Sequence, residues 1–273
     1  MSTIQPKPSL EAWTETLLAK GKYGFGLNQV REVFDGQTEV ATKFALKRLV
    51  DKGKIISLHK GYYLILPPQY AMKGILPTGL FLDAFMKFLN RPYYVSLLNA
   101  AAYHGASHQQ PQEFFVMTSF PVLRPTAKKG LKINYISVKH IPQPLTEQRK
   151  TEAGYLTISG PALTATDLVQ YENRIGGLSR AATVLYELAE VLTSASFSPE
   201  LLAHAHTTSL QRLGYLLEYA CLNQDLADAL HLAMKQQGLN RLRIPLQTSG
   251  EVKGYSSQNR WNVIVNTEIE LDD

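Results

Sequence analysis

Three basic side chains recur in one stretch of the sequence at a spacing that fits one side of a helix. Lys43, Lys47 and Arg48 fall within one half of the circumference of a helix that turns 100° per residue. Lysine and arginine contact phosphate oxygens, and both can donate to O6 and N7 of guanine. The pattern favours non-covalent binding of a polyanion such as duplex DNA, and the alternative is an ordinary solvated face.

The three basic residues belong to a helix predicted from Thr38 to about Lys52. Thr38 stands where an N-cap belongs and can also donate to a phosphate, and Gly53 ends the helix. Val40 and Phe44 fall on the basic side, where they either pack on the rest of the protein or touch thymine methyl groups. The opposite face is predicted to pack on the first two helices, through Thr42, Ala45, Leu46 and Leu49.

The elements around this helix follow the order of a DNA-binding module. Two shorter helices precede it, separated by a glycine-rich break at 21–26, and two β-rich runs follow it. Three helices and a hairpin within about 65 residues are the layout of a winged helix-turn-helix, whose third helix enters the major groove. His59 and Lys60 lie in the predicted turn and would contact a flanking groove or the backbone; alternatively, His59 is an ordinary exposed turn residue. The predicted bounds are 9–20, 27–34 and 38–52 for the helices, and 54–58 and 62–66 for the strands.

A second basic stretch lies between residues 124 and 150, where Glu147 is the one acidic residue. Its side chains either add phosphate contacts to the DNA-binding surface or form a solvated loop. The candidate contacts are Arg124, Lys128, Lys129 and Lys132, and the remaining cations are Lys139, Arg149 and Lys150.

The net charge of +5 is unevenly distributed along the chain. Residues 1–70 carry 10 Lys/Arg and 6 Asp/Glu, residues 71–150 carry 10 and 3, and residues 151–273 carry 8 and 14. The first 150 residues therefore hold +11 and the remainder −6. This asymmetry indicates a polyanion-facing half and a half with a different task, unless the charges only keep the surface soluble.

A length of 273 residues suggests about two domains. The predicted fold class is α+β: a winged helix-turn-helix over 1–70 and an effector domain over 71–273. This second domain divides into a mixed region at 71–150 and a mainly helical region at 151–273 that is closed by strands. Predicted helices span 80–89, 94–103, 161–171, 179–193, 198–221 and 225–237, and predicted strands span 113–119, 133–138, 242–248 and 260–269.

Several chemistries are excluded or weakly supported. The single cysteine, Cys221, allows neither an internal disulfide nor a multi-thiolate zinc site, and it is expected to be a buried small side chain. No apolar run reaches ~18 residues and no signal sequence is recognisable, so we expect a cytoplasmic protein without a membrane partner. No metal, cofactor or catalytic residue is predicted. The pairs considered were His204 and His206, Asp225 and Asp228, and His104 and His108.

The segment from Arg212 to Glu218 allows two interpretations. Gly214 in mid-helix costs up to ~1 kcal/mol relative to alanine, which a close helix approach would explain. Arg212, Tyr215, Glu218 and Tyr219 form either a partner surface or an internal polar network, and internal packing is the favoured interpretation.

The chain resembles the AbiEi antitoxins of AbiE abortive-infection systems. In the first third, the resemblance lies in Ala45-Leu46-Lys47-Arg48-Leu49-Val50-Asp51-Lys52-Gly53-Lys54-Ile55 and Gly61-Tyr62-Tyr63. This part is shared by many regulators, so the later segments in the same order make the resemblance specific. They are Tyr94-Val95-Ser96, 100–106, Gln110-Pro111, Asp167-Leu168-Val169, Gly176-Gly177-Leu178 and 212–218.

The resemblance implies a protein with two tasks. Its winged helix would bind inverted repeats in the promoter of its own toxin–antitoxin operon and repress it. Its C-terminal region would counteract a nucleotidyltransferase-like toxin in a type IV system, in which no stable toxin–antitoxin complex is expected. No short motif identifies the residues that counteract the toxin.

Three other functions remain open at this point. The chain could be a stand-alone regulator whose C-terminal region senses a ligand or mediates association. It could be an interaction module that uses the winged helix for protein contacts, or an enzyme such as a nuclease. A monomer that binds repeats cooperatively is the expected oligomeric state.

Overall fold

The computed structural model describes residues 9–71, 74, 76–106 and 111–271. The described chain contains both helices and strands, in agreement with the predicted α+β class. The chain divides into two compact units. Unit 1 comprises Met1–Tyr93, Val116–Lys139 and Gln148–Thr157, and unit 2 comprises Tyr94–Phe115, His140–Glu147 and Ile158–Asp273. The predicted domain boundary at residue 70 stays a prediction.

Unit 1 begins with three helices and a three-stranded antiparallel sheet. The helices are α1 (Leu10–Ala19), α2 (Leu27–Val33) and α3 (Glu39–Asp51), and the strands are β1 (Gly24–Gly26), β2 (Ile55–His59) and β3 (Tyr62–Ile65). Strand order is β1-β3-β2. Their apolar faces form one core, made by Leu10, Leu17, Phe25, Val30, Phe34, Leu46, Leu49, Ile55 and Ile65.

Strand β1 was not predicted, because its glycines were interpreted only as a break between helices. Two glycines in three residues carry no β-propensity, and pairing with β3 is what extends them. Gly24 is required here because a Cβ at this position would collide with the hydroxyl of Tyr62.

A six-stranded sheet follows, in the order β6-β7-β5-β4-β9-β8. Its strands are β4 (Tyr93–Val95), β5 (Phe114–Ser119), β6 (Thr126–Lys128), β7 (Leu131–Val138), β8 (Thr146–Thr151) and β9 (Gly154–Ser159). Helices α4 (Pro68–Ala71), α5 (Leu82–Phe88) and α6 (Leu97–Tyr103) lie in the same part of the sequence.

Two predictions for this region were wrong. The helix expected over 94–103 starts only at Leu97, because Tyr94 and Val95 belong to β4 and Ser96 has extended backbone angles. The hairpin of β8 and β9 was missed. β8 is an edge strand whose exposed charged and polar side chains leave no apolar alternation to recognise.

Unit 2 is mainly helical, as predicted. Its helices are α7 (Pro161–Gln170), α8 (Leu178–Leu188), α9 (Pro199–His204), α10 (Thr207–Tyr215) and α11 (Gln224–Gln236), with a π-helical turn at Leu216–Ala220. Two short parallel strands close it, β10 (Ile244–Pro245) and β11 (Val263–Ile264).

Three details of unit 2 differ from expectation. The long helix predicted over 198–221 is broken, because Ala205 and His206 have extended ψ angles. The helix predicted over 179–193 is capped by Gly177, whose φ of 100° an L-residue rarely adopts, and it ends at Leu188. The strands predicted at 242–248 and 260–269 shrink to two residues each, and side-chain hydrogen bonds such as Asn266 Nδ2 to Gln247 O (3.0 Å) organise the surrounding loops.

No helix in the described ranges is both long and apolar enough to cross a membrane.

Candidate nucleic-acid interface

Helix α3 presents its basic residues to solvent because its opposite face is buried. The Thr38 hydroxyl caps the helix by accepting a hydrogen bond from the Ala41 amide (3.2 Å). The buried face consists of Thr42, Leu46 and Leu49, with Ala45 half-buried. The exposed face carries Lys43, Lys47 and Arg48, and none of the ion pairs among the described residues involves them.

Two apolar side chains share this exposed face. Val40 is 63% exposed and Phe44 is 60% exposed. Of the two roles predicted for these residues, packing on the rest of the protein is therefore not seen in the described part of the chain.

The hairpin of β2 and β3 places a second pair of predicted residues in solvent. His59 is the last residue of β2 and pairs with Tyr62, so the turn itself is Lys60-Gly61 rather than the predicted three residues. Gly61 has a φ of 78°, which favours glycine. The side chains of His59 and Lys60 are exposed, and the His59 ring lies 5.9 Å from that of Phe85.

The four candidate residues of the second basic stretch lie on or beside a hairpin of β6 and β7. The alternative of a solvated loop does not hold for 126–128 and 131–133, which pair as antiparallel strands. Both tip residues have positive φ, 45° at Lys129 and 81° at Gly130, as in a type I′ turn. Arg124, Lys128, Lys129 and Lys132 are all exposed.

An open groove of about 460 Å³ in unit 1 brings residues of the two hairpins together. His59 lines it with Arg124 and Lys128, and Phe85 and Tyr135 supply aromatic walls. Sequence reasoning missed the aromatic residues because nothing in their local pattern connects them with the hairpin tips. Thr38 and the cations of α3 do not line this groove.

A different kind of site is buried in unit 2. The Asp167 carboxylate accepts hydrogen bonds from the hydroxyls of Ser96 (2.6 Å) and Tyr94 (3.3 Å). Burial raises the pKa of Asp167 to about 7, although both hydrogen bonds act in the opposite direction. Asp167 therefore links α7 to the segment that connects β4 with α6.

Arg212 is also internal. Its guanidinium donates to the carbonyl of Leu246 (2.7 Å) and to that of Val169 (3.2 Å), and it forms an ion pair with Glu172 (3.2 Å). Both charged side chains are almost completely buried, which requires this pairing. Of the two interpretations of this segment, Arg212 fits the internal network.

Gly214 and Glu218 hold the C-terminal segment against α10. A Cβ on Gly214 would collide with the Trp261 ring, so the close approach that the mid-helix glycine suggested is present. Glu218 Oε2 accepts from Trp261 Nε1 (2.7 Å) and from Arg260 Nε (2.6 Å). Tyr219 remains half exposed, with its ring 4.7 Å from that of Tyr215.

The metal and nucleophile candidates have structural contacts. His104 Nε2 lies 2.7 Å from the Ser159 carbonyl, Asp228 pairs with Arg260, and burial raises the pKa of the Cys221 thiol to about 12. No group of three His, Cys, Asp or Glu side chains suited to a metal occurs among the described residues, and His108 lies outside them.

These features define the class: an α+β protein with an exposed basic helix and two basic hairpins in one unit, and a buried polar network in the other. Residues 94–219 match the family model of the AbiEi antitoxin C-terminal domain. The resemblance to AbiEi-type antitoxins is thus confirmed, and the later segments that carried it fall inside this range.

The solved structures that match this chain include two that we describe in turn. The crystal structure of the RV2827C protein from Mycobacterium tuberculosis has a TM-score of 0.67 at 14% identity, over 95% of this chain and 92% of that one. This likeness concerns the fold alone. The crystal structure of an antigenic nucleotidyltransferase-like protein from Paracoccidioides brasiliensis has a TM-score of 0.33 at 11% identity, over 55% of this chain and 88% of that one. This similarity is too low to indicate a shared fold or function. Comparison with curated proteins gives no match.

Proposed function

We propose that this protein is a DNA-binding transcriptional repressor that autoregulates a toxin–antitoxin operon and counteracts a nucleotidyltransferase-like toxin. The observation that carries the DNA-binding half is the exposed basic face of α3, opposite a buried face and followed by a hairpin. The family match over 94–219 supports the antitoxin half.

In this proposal the first 70 residues act as a winged helix-turn-helix. The element order and the β1-β3-β2 sheet support this assignment, with α3 in the major groove and the β2–β3 hairpin as the wing. Lys43, Lys47 and Arg48 contact phosphates or guanine edges, and the Thr38 hydroxyl donates to a phosphate. His59 and Lys60 contact DNA from the wing, and the groove shared with Arg124 and Lys128 supports an extension of the phosphate contacts to Lys129 and Lys132.

The proposed action is binding alone, to inverted repeats in the promoter, without a cofactor or a catalytic step. The antitoxin acts on its toxin without a stable complex, as the family resemblance implies. Repression and protection from the toxin are then two separate readouts of one chain.

A mobility-shift titration of the full chain on its own upstream DNA, with competitor DNA and a salt series, tests the DNA-binding half. We expect Lys47→Ala to weaken specific binding and to reduce the salt dependence by about one ion, because one phosphate contact is lost. Lys235→Ala removes the same charge from an exposed position of α11 in unit 2 and serves as the matched control. If Lys47→Ala has the affinity and salt slope of this control, Lys47 does not contact DNA.

A further inference from the structure

The exposed face of α3 has an apolar centre bordered by cations. At 100° per residue, Val40, Phe44 and Lys47 fall within an arc of about 60°. Lys43 lies on one side of this arc and Arg48 on the other. The arc is diametrically opposite the buried Thr42, Leu46 and Leu49.

This apolar centre faces water in the described protein. Both large apolar side chains are more than half exposed, so most of their surface gains nothing from the hydrophobic effect where they stand. The surface is bounded at the start of the helix by the Arg31–Glu39 ion pair (2.7 Å) and at its end by the exposed Asp51. The cations beside it favour a polyanion as its occupant rather than an apolar protein surface.

The spacing of the two residues fits bases that lie two base-pair steps apart. Val40 and Phe44 are one helical turn apart, about 6 Å along the axis, which is close to two steps of about 3.4 Å between base pairs. Both lie in the first half of α3, the part of a recognition helix that contacts base edges.

We infer that Val40 and Phe44 select thymine, by packing on the 5-methyl groups of two thymines that lie two base-pair steps apart, while Lys43 and Arg48 hold the flanking phosphates. Among the base edges in the major groove, the thymine methyl is the apolar one, and the others present donors or acceptors. A valine or phenylalanine against those groups would leave them unpaired and desolvated, which disfavours the other bases. This inference rests on the proposed DNA binding.

The test compares thymine with uracil, which differ in the 5-methyl group. Duplexes that the full-length protein selects from a random pool are resynthesised with deoxyuridine in place of thymidine, one position at a time. We expect affinity to fall about fourfold for each methyl that is contacted. Phe44→Ala should abolish this sensitivity at the position that Phe44 reads, and Phe44→Leu should retain it in part.

Lys47→Ala is the matched control, because it should weaken binding to thymine and uracil duplexes by the same factor. Two results overturn the inference while leaving DNA binding intact: a wild-type protein indifferent to uracil at every position, or a Phe44→Ala variant as sensitive as the wild type. Absence of salt-dependent binding to any duplex overturns both this inference and the proposed function.

Discussion

At the scale of single residues, Asp167 is a carboxyl group whose acid–base behaviour in the folded protein differs strongly from its behaviour in water. Its pKa is raised from an ordinary value near 3.8 to about 7 in the folded protein, chiefly by burial. The folded state therefore holds a proton that the unfolded chain releases above about pH 4. The stabilisation that this bound proton contributes is fully present below the pKa of the unfolded chain, and it is lost as the pH rises to about 7.

We expect this group to cost at most about 4 kcal/mol of stability between pH 4 and 7, which is the free energy of a shift of about three pKa units. Asp167→Asn removes the titration while keeping an acceptor for Ser96 and Tyr94. The measurement is urea unfolding of both proteins from pH 5 to 8, and the difference in the free energy of unfolding should move in favour of the variant as pH rises.

Asp228→Asn is the control for this experiment. Hydrogen bonding to Arg260 lowers the pKa of Asp228, so it is ionised in both states across this pH range. The difference in the free energy of unfolding between Asp228→Asn and the wild type should stay constant with pH. If the free energies of unfolding of Asp167→Asn and of the wild type change in parallel with pH, the Asp167 carboxyl is ionised in the folded protein.

At the scale of elements, α10 and the π-helical turn that follows it hold the C-terminal segment in place through side-chain contacts. Glu218 lies in that turn and accepts from both Arg260 and the Trp261 indole. A glycine in mid-helix has a low helix propensity, so its presence at 214 reflects the space that Trp261 needs.

We expect Gly214→Ala to lower the free energy of unfolding by about 1–3 kcal/mol, because overpacking outweighs the gain of about 1 kcal/mol in helix propensity. Gly36→Ala is the matched control, since a Cβ there meets open space and no positive φ is imposed. Chemical denaturation of the two variants gives the comparison.

Combining Gly214→Ala with Trp261→Leu should cost less than the sum of the two changes, because the smaller side chain relieves the collision. A Gly214→Ala protein as stable as the wild type would mean that α10 and Trp261 are not in close contact.

At the scale of the whole molecule, charge separates the two proposed tasks. The first 150 residues hold +11 and the remainder holds −6, and the residues proposed for DNA contact all lie in unit 1. The family match covers 94–219, which includes both the second basic stretch and the buried polar networks around Asp167 and Arg212.

We expect the triple variant Lys43→Ala, Lys47→Ala and Arg48→Ala to lose repression of its own promoter and to retain protection from the toxin. All three side chains are exposed, so removing them should leave folding intact. A promoter reporter and a growth assay with the toxin gene measure the two effects, and unchanged thermal unfolding is the control. Loss of both activities in a folded variant would contradict a division of tasks between the two regions.

The sequence by itself determined the helices of the first 70 residues and the hairpin that follows them. The cap at Thr38, the period of Thr42, Leu46 and Leu49, and the stop at Gly53 are local signals, and local signals survive folding. It also predicted the mainly helical character of unit 2 and the close approach at Gly214.

Tertiary structure alone decided which side chains distant in sequence lie together. His59, Arg124 and Lys128 line one groove although more than sixty positions separate the first two in the chain. Arg212 is buried because carbonyl groups and Glu172 from other elements surround it. The break at Ala205 and His206 and the edge strand β8 were missed for the same reason. Neither feature leaves a helical period or a β alternation in the sequence from which it could be predicted.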